Sequence, residues 1–157
     1  DGIREQLNIP ARIPEAIRED FFRYVKAGQM SFSYKPVMLK GMLRLVNDKG
    51  QVELGALVNY FRNFYEQRAD AGLQIEVSGA VINRVKEMND FDVARLMLTM
   101  PFEKFERKFF LEHRKDLNQV AFVPALWKRL TLKDKKELIG ICDRQIERYY
   151  ARRLESK

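Results

Sequence analysis

The sequence predicts a mostly α-helical fold that carries one short β-hairpin, on three observations. Apolar residues recur at helical spacing in stretch after stretch, most clearly Leu54, Leu57, Val58, Phe61, Phe64 and Tyr65, with Asn59, Arg62, Asn63, Glu66 and Arg68 on the opposite face. Segments that read as strands are few and short. The third observation is residues 102–123, FEKFERKFFLEHRKDLNQVAFV, where the period changes. Phe102, Phe105, Glu106 and Phe109 share one side at helical spacing, and Lys104, Arg107 and Lys108 stand on the rest. Two apolar runs follow, 109–111 and 120–123, separated by His113, Arg114, Lys115, Asp116, Leu117 and Asn118, so the hairpin is expected to carry its cations at the tip.

Each element has a local reason. Residues 3–14 hold two prolines and little periodicity, and read as an extended lead-in. Pro14 suits a first helical turn, after which Ile17, Phe21, Phe22 and Val25 form an amphipathic stripe that ends at Gly28. A second helix starts near Pro36, where Val37, Met38, Leu39, Met42, Leu43, Leu45 and Val46 make a nearly all-apolar segment that belongs in a core. Asn47, Asp48, Lys49 and Gly50 compose a turn, and Gln51, Val52 and Glu53 a short strand before the helix that begins at Leu54. Residues 69–79 break the pattern with Gly72 and Gly79 and read as a loop with a strand at 73–77. Val81, Ile82, Val85 and Met88 predict a short helix, and Val93, Leu96, Met97 and Met100 another that stops before Pro101. After the hairpin, Pro124 opens a brief helix through Trp127, and Thr131 to Asp134 form a capping box for a long last helix running from Leu132 to about residue 154.

This order follows the plan of a winged helix: helix, strand, helix, helix, strand, wing, strand. Residues 69–100 are longer than the usual connection. Either a helix has been inserted, or residues 81–88 supply the second helix of the motif. The chain therefore divides into residues 1–30, a lead-in and helix; residues 31–130, a winged-helix-like core; and residues 131–157, a long basic helix packed on that core.

At 157 residues with 46% hydrophobic composition and eleven Phe, the chain can bury a real core. No apolar run approaches the roughly 18 residues of a membrane span. There is no N-terminal signal peptide, and the Asp-Gly start without Met reads as a piece of a longer protein or as a trimmed tag. The single Cys142 cannot form an internal disulfide, which makes the cytoplasm the expected compartment, and its place in the apolar pattern of the last helix reads as a small buried hydrophobe. The net charge of +7 is unevenly spread. Residues 1–30 hold five basic and five acidic side chains, residues 31–100 nine and eight, and residues 101–157 fifteen and nine. An excess confined to one third of the chain is the footprint of a surface that meets a polyanion.

Binding rather than chemistry is the expected function. Arg107 is placed to meet a base edge or a phosphate, Lys104 and Lys108 to meet phosphates, and His113, Arg114, Lys115 and Asn118 to reach the neighbouring backbone of nucleic acid, duplex DNA above all. The competing reading is a solvated face, because Glu103, Glu106 and Glu112 are interleaved with the cations at ion-pair spacing. A second basic set, Lys133, Lys135, Lys136, Arg144, Arg148, Arg152 and Arg153, lies on the last helix. The apolar band of that helix, Leu138, Ile139, Ile141, Cys142, Ile146, Tyr149 and Tyr150, packs on its own domain or, alternatively, docks on a partner or self-associates. No enzyme is expected. His113 is the only histidine and has no nucleophile or carboxylate pair beside it in sequence, no glycine-rich phosphate loop occurs, and no cofactor or metal set is legible. Asp92 with Glu106-Arg107-Lys108 mimics a metal-dependent nuclease fragment, but at helical periodicity where that chemistry needs a strand.

Three stretches together, FSYKPVMLKGMLRLVNDKGQVELGALVNYFRNFYEQR, PFEKFERKFFLEHRKDLNQVAFVPALW and RLTLKDKKEL, resemble accessory segments near the C-terminal end of large bacterial DEAD/DEAH-type helicase and restriction or phage-defence proteins. The resemblance implies a helical, winged-helix-like module that helps a larger machine engage DNA or its own other domains, and it carries no catalytic motif. FEKFERKFFLEH also resembles the helix-into-wing passage of bacterial transcription regulators. Those proteins commonly place Gly before the hydrophobe at Phe110; Phe109 stands there in this chain.

Overall fold

The computed structural model describes residues 13–28 and 30–153. The lead-in expected for residues 3–12, the helix end expected at position 154 and the side chain of Arg153 lie outside the described residues. The fold is mostly α, with one small antiparallel sheet flanked by helices. A 3-10 turn at Pro14–Ala16 leads into α1 (Ile17–Ala27), followed by α2 (Tyr34–Leu45), β1 (Gln51–Glu53) and α3 (Leu54–Asp70). A 3-10 helix at Val81–Glu87 precedes α4 (Asp90–Thr99) and α5 (Pro101–Glu106). The hairpin is β2 (Leu111–Arg114) and β3 (Gln119–Phe122), after which come α6 (Pro124–Trp127) and α7 (Leu132–Arg153).

The sheet order is β1-β3-β2, all antiparallel. Val52 lies opposite Val120 on one side of β3, and His113 opposite the same residue on the other. The first strand thus closes onto the returning arm of the hairpin. Between α3 and α5 stand both the 3-10 helix and α4.

Two elements differ from the sequence expectation. Residues 73–77 form no strand; their backbone is a loop, because Glu76 in its middle turns inward to hydrogen-bond. The helix expected to carry Lys104, Arg107 and Lys108 stops at Glu106 and keeps only Lys104 of the three, and β2 begins at Leu111 rather than at 109, because Phe109 adopts φ +62° and turns the chain sharply between them.

Aromatic packing organises the core. Phe21 of α1 is fully buried, with ring centroids 5.1 Å from Phe110, 6.2 Å from Phe122 and 6.3 Å from Phe105. One ring therefore joins α1, α5 and the hairpin. Gly50 turns at φ +81° with the Trp127 ring against it, so close that a Cβ would stand 2.7 Å from Trp127 Cγ. The Trp127 indole N–H donates to the Asp48 carbonyl at 3.0 Å, which completes the clasp between that turn and α6.

α7 lies on α2 and α1 with Leu138, Ile141 and Cys142 buried. Its start is the capping box read from sequence: the Asp134 N–H donates to Thr131 Oγ1, and the Thr131 N–H donates to Asp134 Oδ2, each at 3.0 Å. Arg18 of α1 adds two donors to the same carboxylate at 2.9 and 2.6 Å, so one residue both caps α7 and pins it to α1.

The far end of α7 is held by a buried polar cluster. Glu76, 1% exposed, accepts from the Ser33 N–H at 2.8 Å, from Ser33 Oγ at 2.7 Å, from the Val77 N–H at 2.8 Å and from the Tyr149 hydroxyl. Ser33 Oγ has one proton and gives it to Glu76, so the Tyr65 hydroxyl donates to Ser33 at 2.8 Å. Tyr150 donates to the Ile75 carbonyl at 2.7 Å. Burial raises the pKa of the Tyr65 hydroxyl well above its ordinary value and that of Tyr150 to about 12, which keeps both protonated as donors.

Candidate nucleic-acid interface

α5 is short because its chemistry ends it. Pro101 opens it at a position that has no use for an N–H, and Phe102 and Phe105 bury themselves. Beyond Glu106, the Phe109 N–H donates to the Glu106 carbonyl at 2.9 Å and the Phe110 N–H to the Phe105 carbonyl at 3.1 Å. These are the paired bonds of a Schellman stop, with left-handed Phe109 at its turn, and Phe105 and Phe110 both pack on Phe21. Glycine is the usual occupant; here it is Phe109, 40% exposed. The left-handed position is therefore filled here by a phenylalanine rather than a glycine.

This stop sets where the cations stand. Lys104 lies on α5, whereas Arg107 and Lys108 lie in the turn beyond it, all three exposed. Arg107 donates to Glu103 at 2.7 Å, an ion pair exposed on both sides. Lys108 holds its ammonium 5.8 Å from the centroid of the Tyr24 ring. Tyr24 itself stacks edge-on to Phe105 at 5.3 Å, and its hydroxyl donates to the Lys104 carbonyl at 3.4 Å. Lys104 has no ion pair among the described residues.

The hairpin divides its predicted residues. His113 is half-buried, its ring edge-on to Phe102 at 6.2 Å, which ties β2 to α5. Arg114 is held by Glu112 at 2.5 Å. Lys115 is exposed in the 3-10 turn at the tip, without an ion pair among the described residues, beside Leu117 at 62% exposure. Asn118 takes φ +53°, which its side chain tolerates, and its carbonyl accepts from the Leu54 N–H at 3.0 Å, anchoring the tip to the start of α3. From Leu111 to Lys115 the strand advances about 13 Å, so the tip and the α5 turn form two contact points rather than one cluster.

Lys35 on α2 is the cation that sequence reasoning missed. It sits half-buried with its ammonium 5.2 Å from the opposing Tyr24 ring, and burial, reinforced by Lys104 and Arg107, pushes its pKa down. Nothing in the sequence marks it, since its neighbours in space come from α1 and α5.

Elsewhere the chemistry is quiet. Asp92 is occupied in capping α4 through Asn89, and no group of three or more His, Cys, Asp or Glu among the described residues is placed to hold a metal. Cys142 is fully buried and its thiol is pushed up to about 12 by burial. On α7, Lys135 stands over Trp127 at 5.0 Å, while Arg144 and Arg148 are exposed. Among the described residues, no helix is long and apolar enough to cross a membrane. No protein-family model, curated protein or solved structure matches this chain, so what the site does rests on the geometry of its own residues.

Proposed function

We propose that this chain is a non-enzymatic nucleic-acid-binding module that holds duplex DNA through α5, the turn after it and the hairpin tip, within a larger bacterial DNA-processing or defence protein of the cytoplasm. The observation that carries the reading is the exposure of Lys104, Arg107 and Lys108 on one short helix and its stop, with a fourth cation, Lys115, at the end of the adjoining hairpin. The Glu103 pair does not oppose it. An exposed ion pair contributes only about 0 to 1 kcal/mol, so a phosphate can replace the carboxylate at Arg107 at little cost. The non-enzymatic part draws support from the burial of Ser33 and Cys142 and from the packing of His113 on Phe102. The resemblance of three stretches to helicase-associated segments supports the larger setting.

The test is duplex binding by fluorescence anisotropy across a salt series. Each phosphate contact contributes about 0.9 to the slope of log affinity against log salt. Changing Lys104, Arg107 and Lys108 together to Ala is expected to weaken binding and flatten that slope by about 2 to 3, with the helical far-UV spectrum kept. Equal affinity and slope in the wild type and the triple variant would overturn the proposal.

A further inference from the structure

Beside the α5 surface opens a cavity of about 220 Å3, between the segment at residues 30–35 and the junction of α4 with α5. Its lining combines two chemistries: the apolar Met30, Phe32, Tyr34 and Met100, with the Phe32 and Tyr34 rings stacked at 5.0 Å and 13°, and the cations Lys35 and Lys104. No carboxylate lines it among the described residues.

A half-buried ammonium with a second ammonium beside it is an unfavourable arrangement for a fold to keep. Lys35 has no ion pair among the described residues; the Tyr24 ring lies 5.2 Å from its ammonium, and its pKa is lowered by burial and by Lys104 and Arg107. An anion between Lys35 and Lys104 would reverse that penalty, and perturbed groups lining a cleft are where ligands are expected. The size selects further. The volume falls below the roughly 300 to 1,000 Å3 of a pocket that engulfs a whole ligand, so it takes one group of a larger molecule. The aromatic wall accepts any base face, whereas a base still paired in a duplex cannot reach it.

We infer that this notch holds one unpaired nucleotide, its phosphate between Lys35 and Lys104 and its base against Phe32. The inference rests on the duplex reading above, because Lys104 belongs to both surfaces and a duplex on α5 brings its end to the notch. A free mononucleotide offers the same chemistry, and the experiment separates the two sources.

The full chain is titrated against a blunt duplex, against the same duplex with a short single-stranded overhang, and against adenosine monophosphate. The overhang is expected to bind about tenfold more tightly than the blunt end, as one stacked base allows. Phe32→Ala is expected to abolish that preference without changing blunt-duplex affinity, and Lys35→Met to abolish it while keeping the aliphatic stem over Tyr24. Far-UV spectra confirm that both variants fold. Equal binding of overhang and blunt duplex by the wild type overturns the notch and leaves the duplex reading standing, and so does a preference that both variants retain. Binding of adenosine monophosphate with no affinity for either duplex keeps the notch as a mononucleotide site and overturns the duplex reading; no binding of any probe overturns both.

Discussion

Phe109 is the residue whose backbone works hardest. A side chain with a Cβ at φ +62° meets its own carbonyl, at a cost of roughly 1 to 2 kcal/mol that glycine avoids. Phe109→Gly is therefore expected to raise stability by about 1 kcal/mol, read as a higher urea midpoint at unchanged slope; a lower midpoint would show that the exposed ring contributes more than its backbone costs. Asp134 links stability to acid. The hydrogen bond from Arg18, joined by those from Thr131, holds its carboxyl down to about 2, against an ordinary 3.8. The folded value lies below the unfolded one, so the stabilisation is complete above about pH 4 and is lost as pH falls through 2. Asp134→Asn should flatten the stability profile across that window in stepped-pH urea titrations. A profile with the same acid limb would assign the limb to other carboxyls.

At the scale of elements, α5 and α7 behave as opposites. α5 has six residues, too few to stand by its own hydrogen bonds, and it exists because Phe102 and Phe105 are buried under α1 and the hairpin. The cations Lys104, Arg107 and Lys108 were legible in the sequence, but the end of the helix before Arg107 was not, since nothing local distinguishes a phenylalanine that continues a helix from one that stops it. α7 is long, capped and amphipathic, and its apolar face was readable from the spacing, although buried Gln145, which donates to the Val25 carbonyl, was not. Ile141, 7% exposed, sits where α7 meets the body of the molecule. Ile141→Ala is expected to cost about 2 to 5 kcal/mol in chemical denaturation, with the protein sedimenting as a monomer before and after. A dimer that Ile141→Asp dissociates into folded monomers would assign the apolar band to an intermolecular contact.

Across the whole molecule, three distant segments converge on Glu76. It tops the start of α2 through Ser33, holds its own loop through Val77, and receives Tyr149 from the end of α7. Every neighbour presents a donor, so the position demands an acceptor on both oxygens. Glu76→Gln keeps the shape but turns one oxygen into a donor facing donors, and the expected loss is about 2 to 3 kcal/mol with the helical spectrum intact. A variant as stable as the wild type would mean that the loop swings out and water satisfies the cluster. Such a clasp also explains why the predicted strand at 73–77 did not form: a backbone turned to deliver Glu76 inward has no strand partner to pair with.

Local sequence was enough for the mostly α class, the apolar faces of α1, α2, α3 and α7, the strand at Gln51–Glu53, the turn at Gly50 and the Thr131 to Asp134 cap. All of these depend on residues within a few positions of one another, where periodicity and capping chemistry act directly. Tertiary structure alone decided that α5 stops at Glu106, that His113 packs on Phe102, that Arg114 is held by Glu112 and that Lys35 stands beside Lys104. The stop follows from burying Phe105 and Phe110 around Phe21, and the approach of Lys35 follows from packing α1 and α2 against α5. Burial of rings brought together from far apart in the chain sets those positions, and no local pattern of residues encodes which rings will meet.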